Sequence, residues 1–180
     1  MAQFTFPLIS TFPPFYTLQP HPESQAKQLA AWVDLVRDYC AHHRLYRLDL
    51  STAHTLDLFS NAAISRAVTR DMLASIFAEC VKCNLAEWAS PKDHSRILVL
   101  WKAVPQWASV ILEWAKKFGF TGTVLTGYEV RFGDYAADAE FYDMDEALFL
   151  RVIKHLVKQG NATLVNPSDI ADELGFKLNA

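Results

Sequence analysis

Cysteine is scarce in this chain and odd in number, with three residues in 180. That excludes a disulfide-stapled scaffold and fits a reducing compartment. Glycine is equally sparse: the six glycines never cluster, so no phosphate-cradling loop is encoded. No apolar run is long enough to cross a bilayer, and no basic block followed by an apolar one opens the chain, so neither membrane insertion nor a signal peptide is expected. Neither sign of charge dominates. Seventeen Lys and Arg against twenty Asp and Glu leave a net charge of −3, which argues against a molecule held to nucleic acid by its overall field. Hydrophobic residues at 51% against 21% charged describe a folded globular chain.

Catalytic sets are lacking too. Cys80-x-x-Cys83, with Cys40 and His42 or His43, has the residue types of a zinc or redox site. Cys40 and Cys80, however, fall on apolar helix stripes, where cysteine behaves as a small hydrophobe. Ser51, Ser60 and Ser65 have no nucleophile-elbow glycines around them, and the six histidines are scattered. The Asp and Glu residues between 134 and 146 read as a solvated acidic loop. The expectation is a protein that is not an enzyme and carries no metal or cofactor.

What the chain does have is Phe12-Pro13-Pro14-Phe15-Tyr16, three aromatics and two prolines ahead of the first helix. Proline fixes φ, so Pro13-Pro14 predicts an extended, polyproline-like tail over residues 1–22. Two readings stay open. The tail is a Pro-Pro-x-Tyr ligand for a pocket on another protein, or it folds back over its own core.

After the tail, the pattern is duplicated. Leu29, Trp32, Val33, Val36 and Cys40 mark one face of a helix over 23–43, and Trp107, Val110, Ile111, Trp114 and Phe118 repeat it 78 residues later. Met72, Leu73, Ile76, Phe77, Cys80 and Val81 form a paired stripe behind a Thr69 cap, and Leu148, Phe149, Val152, Ile153, Leu156 and Val157 repeat it 76 residues later. Leu45 to Leu50, Leu85 to Ala89 and Ile97 to Lys102 read as strands, and Asn61 to Val68 as a short helix. The fold class is α+β and mostly helical: two tandem winged-helix domains, 23–103 and 104–180, behind an extended Pro/aromatic tail. No Gly/Ser linker separates the halves.

Winged helices often read DNA through a basic third helix. Here that helix is balanced in the first domain (Arg70, Asp71, Glu79, Lys82). In the second, Arg151, Lys154 and Lys158 are preceded by Asp143, Asp145 and Glu146. A nucleic-acid-binding tandem winged helix is therefore the rival reading and not the leading one. A third reading is an adaptor whose Pro-Pro-x-Tyr recruits a WW-domain ubiquitin ligase.

The combination of Phe12-Pro13-Pro14-Phe15-Tyr16-Thr17-Leu18-Gln19-Pro20, Gln28-Leu29-x-x-Trp32, Leu98-Val99-Leu100-Trp101-Lys102, Trp107-x-x-x-Ile111-x-x-Trp114 and Glu140-Phe141-Tyr142-x-Met144-Asp145-Glu146 resembles the vacuolar protein sorting-associated protein 25 family, the small subunits of the endosomal ESCRT-II complex. The resemblance runs from Phe12 to Leu178. It implies a non-catalytic, cytoplasmic scaffold, peripherally recruited to the endosomal membrane, in multivesicular-body sorting of ubiquitinated membrane proteins. It implies two copies of the chain in a hetero-oligomer with two larger ESCRT-II subunits, docked through Phe12, Pro13, Pro14, Phe15 and Tyr16. It also implies that the second winged helix recruits the ESCRT-III subunit that nucleates polymer assembly. The acidic residues Asp134, Asp138 and Glu140 are the expected rim that steers a basic helix of that partner. Where some relatives carry a second Pro-Pro-x-Tyr upstream, this chain reads Phe6-Pro7-Leu8-Ile9-Ser10.

Overall fold

The computed structural model describes residues 3–179. The chain divides into two compact units, one ending at Trp101 and one beginning at Lys102. Each has a long first α-helix, carries a further helix before a β-hairpin, and folds that hairpin into a three-stranded antiparallel sheet.

In the first unit, α1 spans Pro22–His43. Pro22 starts it, where a missing N–H costs nothing. Gln28, Leu29, Trp32, Leu35, Val36, Tyr39 and Cys40 form its buried face. Arg44, at φ 54°, ends it in the left-handed region, with His42 and His43 in the last turn where the helix dipole favours positive charge. Strand β1 (Arg47–Asp49) follows. The short helix expected over 61–68 does not form. Strands β2 (Ser60–Asn61) and β3 (Arg66–Ala67) pair there instead, around a single 3-10 turn at Ala62–Ile64. The reason is local: the Asn61 side chain accepts from the Ala63 N–H, and Ser65 sits at φ 52°, which reverses the chain before a helix can propagate.

Helix α2 (Arg70–Lys82) starts at Thr69, whose Oγ1 accepts from the Met72 N–H at 3.3 Å. Its stripe of Met72, Leu73, Ile76, Phe77 and Cys80 is buried. Strands β4 (Ala86–Trp88) and β5 (Arg96–Val99) complete an antiparallel sheet in the order β1-β5-β4, with Ile97 opposite both Leu48 and Trp88. Cys40 and Cys80 are buried in this core, and burial pushes the Cys80 thiol up to about 12. A neutral thiol of that kind is a packing group.

The tail is not extended and does not stand apart from this core. Residues Leu8–Thr11 and Pro13–Tyr16 form two 3-10 turns, and Phe15 and Tyr16 belong to the buried cluster of the first unit. The proline φ that suits polyproline geometry suits a 3-10 turn equally well, and the apolar contact decides between them.

In the second unit, α3 (Val104–Phe118) buries Trp107, Ala108, Ile111, Trp114 and Ala115 and ends at Gly119, φ 73°. Strand β6 (Val124–Thr126) leads into α4 (Gly127–Phe132) through a reciprocal cap: Thr126 Oγ1 accepts from the Glu129 N–H, and the Glu129 carboxylate accepts from the Thr126 N–H. Gly127 is obligatory, because a Cβ there would lie 1.7 Å from the Ala171 carbonyl oxygen. Helix α5 (Glu146–Lys158) is capped by Asp145, whose Oδ1 accepts from the Ala147 and Leu148 N–H groups. It buries Leu148, Phe149, Val152, Ile153 and Leu156. Strands β7 (Ala162–Asn166) and β8 (Gly175–Leu178) form the hairpin, giving the sheet order β6-β8-β7.

Trp32 is fully buried at the centre of the first unit. Trp32→Ala should lower the stability of that unit by about 3–5 kcal/mol. Chemical denaturation of the full chain checks this, and an unchanged midpoint contradicts the core described above.

Candidate docking surface

The five residues Phe12 to Tyr16 divide between two roles. The first 3-10 turn begins after Pro7, and the Ser10 N–H donates to the Pro7 carbonyl at 3.0 Å. The second places Pro13 at its first position and is closed by the Phe15 N–H donating to the Phe12 carbonyl at 2.9 Å. This geometry turns Phe15 and Tyr16 inward, at 2% and 3% exposure. The Phe15 ring stacks on Trp32 with centroids 4.4 Å apart, and Tyr16 meets the same indole edge-on at 5.7 Å. On its other side Trp32 faces Phe59 at 5.8 Å.

Polar groups fix the same arrangement. Trp32 Nε1 donates to the Phe15 carbonyl at 3.1 Å. The Tyr16 hydroxyl donates to the Ser10 carbonyl at 3.0 Å, and Asn61 Nδ2 donates to that oxygen at 2.9 Å. Burial, above all, raises the Tyr16 phenol above its ordinary value, with Asn61 opposing the shift. Gln28 Nε2 reaches the carbonyls of Pro14, Phe15 and Thr17 at 3.2, 3.0 and 2.8 Å, while its Oε1 accepts from the Gln19 N–H at 3.1 Å.

With Phe15 and Tyr16 used internally, the outward face consists of Phe12 (58% exposed), Pro13, Pro14, Leu8 (88%) and Ile9. Ile9, Phe12, Pro14 and the rim of Phe15 line a groove of about 480 Å³, closed on its helix side by Lys27 and Gln28. Leu8 and Ile9 escape a sequence reading centred on the proline pair. The signal that finds them is apolar content in a turn with no helix stripe to absorb it.

In the second unit, the three acidic residues also divide. Asp134 opens a 3-10 turn (Asp134–Ala136) and faces solvent. Asp138 and Glu140 line a groove of about 280 Å³ with Glu113, Lys117, Phe118 and Tyr135. Its wall is aromatic: Phe118 and Tyr135 are 5.4 Å apart, Tyr135 is 62% exposed, and Trp114 Nε1 donates to the Tyr135 carbonyl at 2.9 Å. Glu140 is ion-paired with Lys102, whose ammonium lies 4.9 Å from the Trp107 ring centroid. Sequence spacing finds the acids of this groove and misses its aromatic wall, because Phe118 and Tyr135 come from separate elements.

Two units, each with a long helix, a strand, further helix and a β-hairpin, define an α+β, mostly helical protein. Residues 9–145 match the family model described as ESCRT-II complex subunit, and the chain belongs to that family. It is 36% identical to the vacuolar protein-sorting-associated protein 25 of Danio rerio over 92% of this chain and 95% of that protein. Against the Xenopus laevis protein of the same name the identity is also 36%, over 90% and 92%. Among solved structures, the fold is similar to the crystal structure of subunit VPS25 of the endosomal trafficking complex ESCRT-II, with a TM-score of 0.80, 26% identity and 96% of this chain and 98% of that one covered. A chain of the endosomal complex ESCRT-II (VPS22/VPS25/VPS36) matches with a TM-score of 0.76 and 28% identity, over 93% and 96%.

Tyr16→Ala should destabilise the first unit by about 3–5 kcal/mol, whereas Tyr16→Phe should cost about 0.5–1.5 kcal/mol through the lost bond to Ser10. Because the folded-state pKa of Tyr16 is raised, its contribution is complete below the unfolded value of about 10 and is lost as pH climbs beyond it. Tyr16→Phe should therefore show a shallower alkaline loss of stability than wild type in urea melts between about pH 8 and 11.

Proposed function

We propose that this chain is a non-catalytic scaffold subunit of an ESCRT-II complex and acts in multivesicular-body sorting of ubiquitinated membrane proteins. It is cytoplasmic and joins the endosomal membrane peripherally, through its complex. Two copies dock on the two larger subunits, the counterparts of the VPS22 and VPS36 named with VPS25 in the related complex. The observation that carries the reading is the rigid apolar surface of Leu8, Ile9, Phe12, Pro13 and Pro14, held against a core by Phe15 and Tyr16. Apolar groups exposed together on an ordered segment are a docking surface before they are anything else. Family membership supplies the partner.

The second unit supplies the contact with an ESCRT-III subunit, through the aromatic groove and the Asp134, Asp138 and Glu140 rim. A basic helix with an apolar face complements that lining in both charge and shape. Exposed acids of this kind act mainly on the rate of encounter.

A WW-domain ligand must offer its tyrosine, and Tyr16 is sequestered, so the adaptor reading is disfavoured. On the outward side of α2, Lys82 is paired with Glu79 at 2.9 Å and Arg70 is followed by Asp71, so that helix presents balanced charge and no basic face to phosphates.

The test is co-purification of the full chain with its two larger subunits from the same organism, read as complex mass. Wild type should give a complex carrying two copies. Phe12→Asp, placed on an exposed position so that the fold is untouched, should reduce or abolish it. A Phe12→Asp complex of full mass and yield would remove this surface from the interface. For the second unit, neutralising Asp134 and Asp138 should slow association of a basic ESCRT-III helix at low salt more than Glu140→Gln does, since Lys102 already offsets Glu140. On-rates unchanged from wild type in stopped-flow measurements, with Asp134, Asp138 and Glu140 all neutralised, would separate the acidic rim from recruitment.

A further inference from the structure

Among the described residues the buried polar or charged side chains are Ser10, Gln28 and Arg131, and the first two both serve the N-terminal segment. Backbone bonds close the two turns within the segment but do not attach it to α1, and its carbonyls at Pro14, Phe15 and Thr17 turn toward that helix. Gln28 answers all three with one amide nitrogen and receives the Gln19 N–H on its oxygen. A primary amide is the side chain that both donates twice and accepts there. A carboxylate has no donor to give. An apolar chain leaves the Phe15 carbonyl to Trp32 Nε1 and the Pro14 and Thr17 carbonyls to Gln19 Nε2, and removes the one group that ties all three to α1.

The outward surface depends on that closure. Ile9 and Phe12 come from the first turn and its end, Pro14 from the second, and the floor of the groove from Gln19 and α1. In an extended peptide of the same sequence these groups do not adjoin, and the floor is missing.

We propose that the Pro-Pro-Phe-Tyr segment is recognised as a folded surface, with Gln28 as the positioning residue that sets its shape, and not as a linear motif that inserts its tyrosine into a partner. The inference rests on the reading that this surface docks on the larger ESCRT-II subunits, and it changes what those subunits must offer. They need an apolar projection that fits a preformed groove, in place of a pocket for a phenol. Two groups hold the segment from opposite ends: Gln28 from α1, and Asn61 from the β2–β3 hairpin through the Ser10 carbonyl.

The experiment uses the full chain and its two larger subunits, with Gln28→Glu, Gln28→Met, Asn61→Ala and a synthetic peptide covering residues 7–20. Hydrogen exchange reads closure at amides 15–19 and at the Trp32 indole, and titration reads affinity. At about pH 7.5 Gln28→Glu should lose protection at those sites and bind at least about tenfold more weakly, while α2 and β5 keep their protection. Acidifying toward about pH 5 should restore part of both, because a protonated glutamic acid again donates, and Gln28→Met should show no such recovery. The peptide should fail to compete. Should Gln28→Glu not fold, Asn61→Ala reads the same closure from the other end. A peptide that competes on equal terms, or a Gln28→Glu chain that opens the segment and binds unchanged, overturns the proposal. Wild type that binds neither subunit overturns the docking reading itself, which is a different result from wild type binding and the peptide competing.

Discussion

Trp32 is the side chain on which the first unit depends. One face of its indole takes Phe15, the other looks toward Phe59, its edge meets Tyr16, and its N–H holds the Phe15 carbonyl. Three chain segments far apart in sequence are therefore organised by one ring. A stacked aromatic pair adds about 0.5–1.5 kcal/mol beyond the area it buries, so the contact is both a packing and an orienting term. With the Gln28 amide it holds the proline turn to α1, and so fixes how the exposed Phe12 and Pro14 are presented.

The duplicated helices show how one pattern serves two ends. At the offset of 78 residues, Gln28 of α1 corresponds to Gln106 of α3. Both glutamines act on backbone near the start of their helices. Gln106 Oε1 accepts from the Ala103 N–H at 2.9 Å and so caps its own helix. Gln28 lies a turn deeper in α1 and reaches outward to another segment. The difference follows from what precedes each helix: an aromatic turn that must be held in the first case, and a short connection in the second.

Electrostatics follow burial more than formal charge. Arg131 is buried, yet its Nε donates to the Met144 carbonyl at 2.9 Å and its guanidinium pairs with Asp172, so it acts as a structural clasp of the second unit. Glu140, which reads as free acid in the sequence, is compensated by Lys102. The acidic character left for a partner is concentrated on fewer side chains than the sequence suggests, beside aromatic rings that no charge count reveals.

Local order was legible from sequence alone. The stripes on α1, α2, α3 and α5, the cap at Thr69 and the hairpin strands all follow from periodicity and side-chain chemistry acting within a few residues. The duplication and the family resemblance were equally open to reading, because they rest on spacing. Two features were not. The stretch 61–68 has no strong period, so a hydrogen bond from Ala63 to the Asn61 side chain and a left-handed Ser65 decide it. The proline–aromatic segment is compatible with a polyproline rod or a 3-10 turn at nearly equal local cost, since both accept the φ that proline imposes. Only the long-range contacts of Phe15 and Tyr16 with Trp32, and of Gln28 with three carbonyls, break that tie. Sequence determined that these five residues carry an apolar surface. Tertiary structure decided which of them face the core and which are left for a partner, because only a folded α1 brings an indole and an amide to meet them.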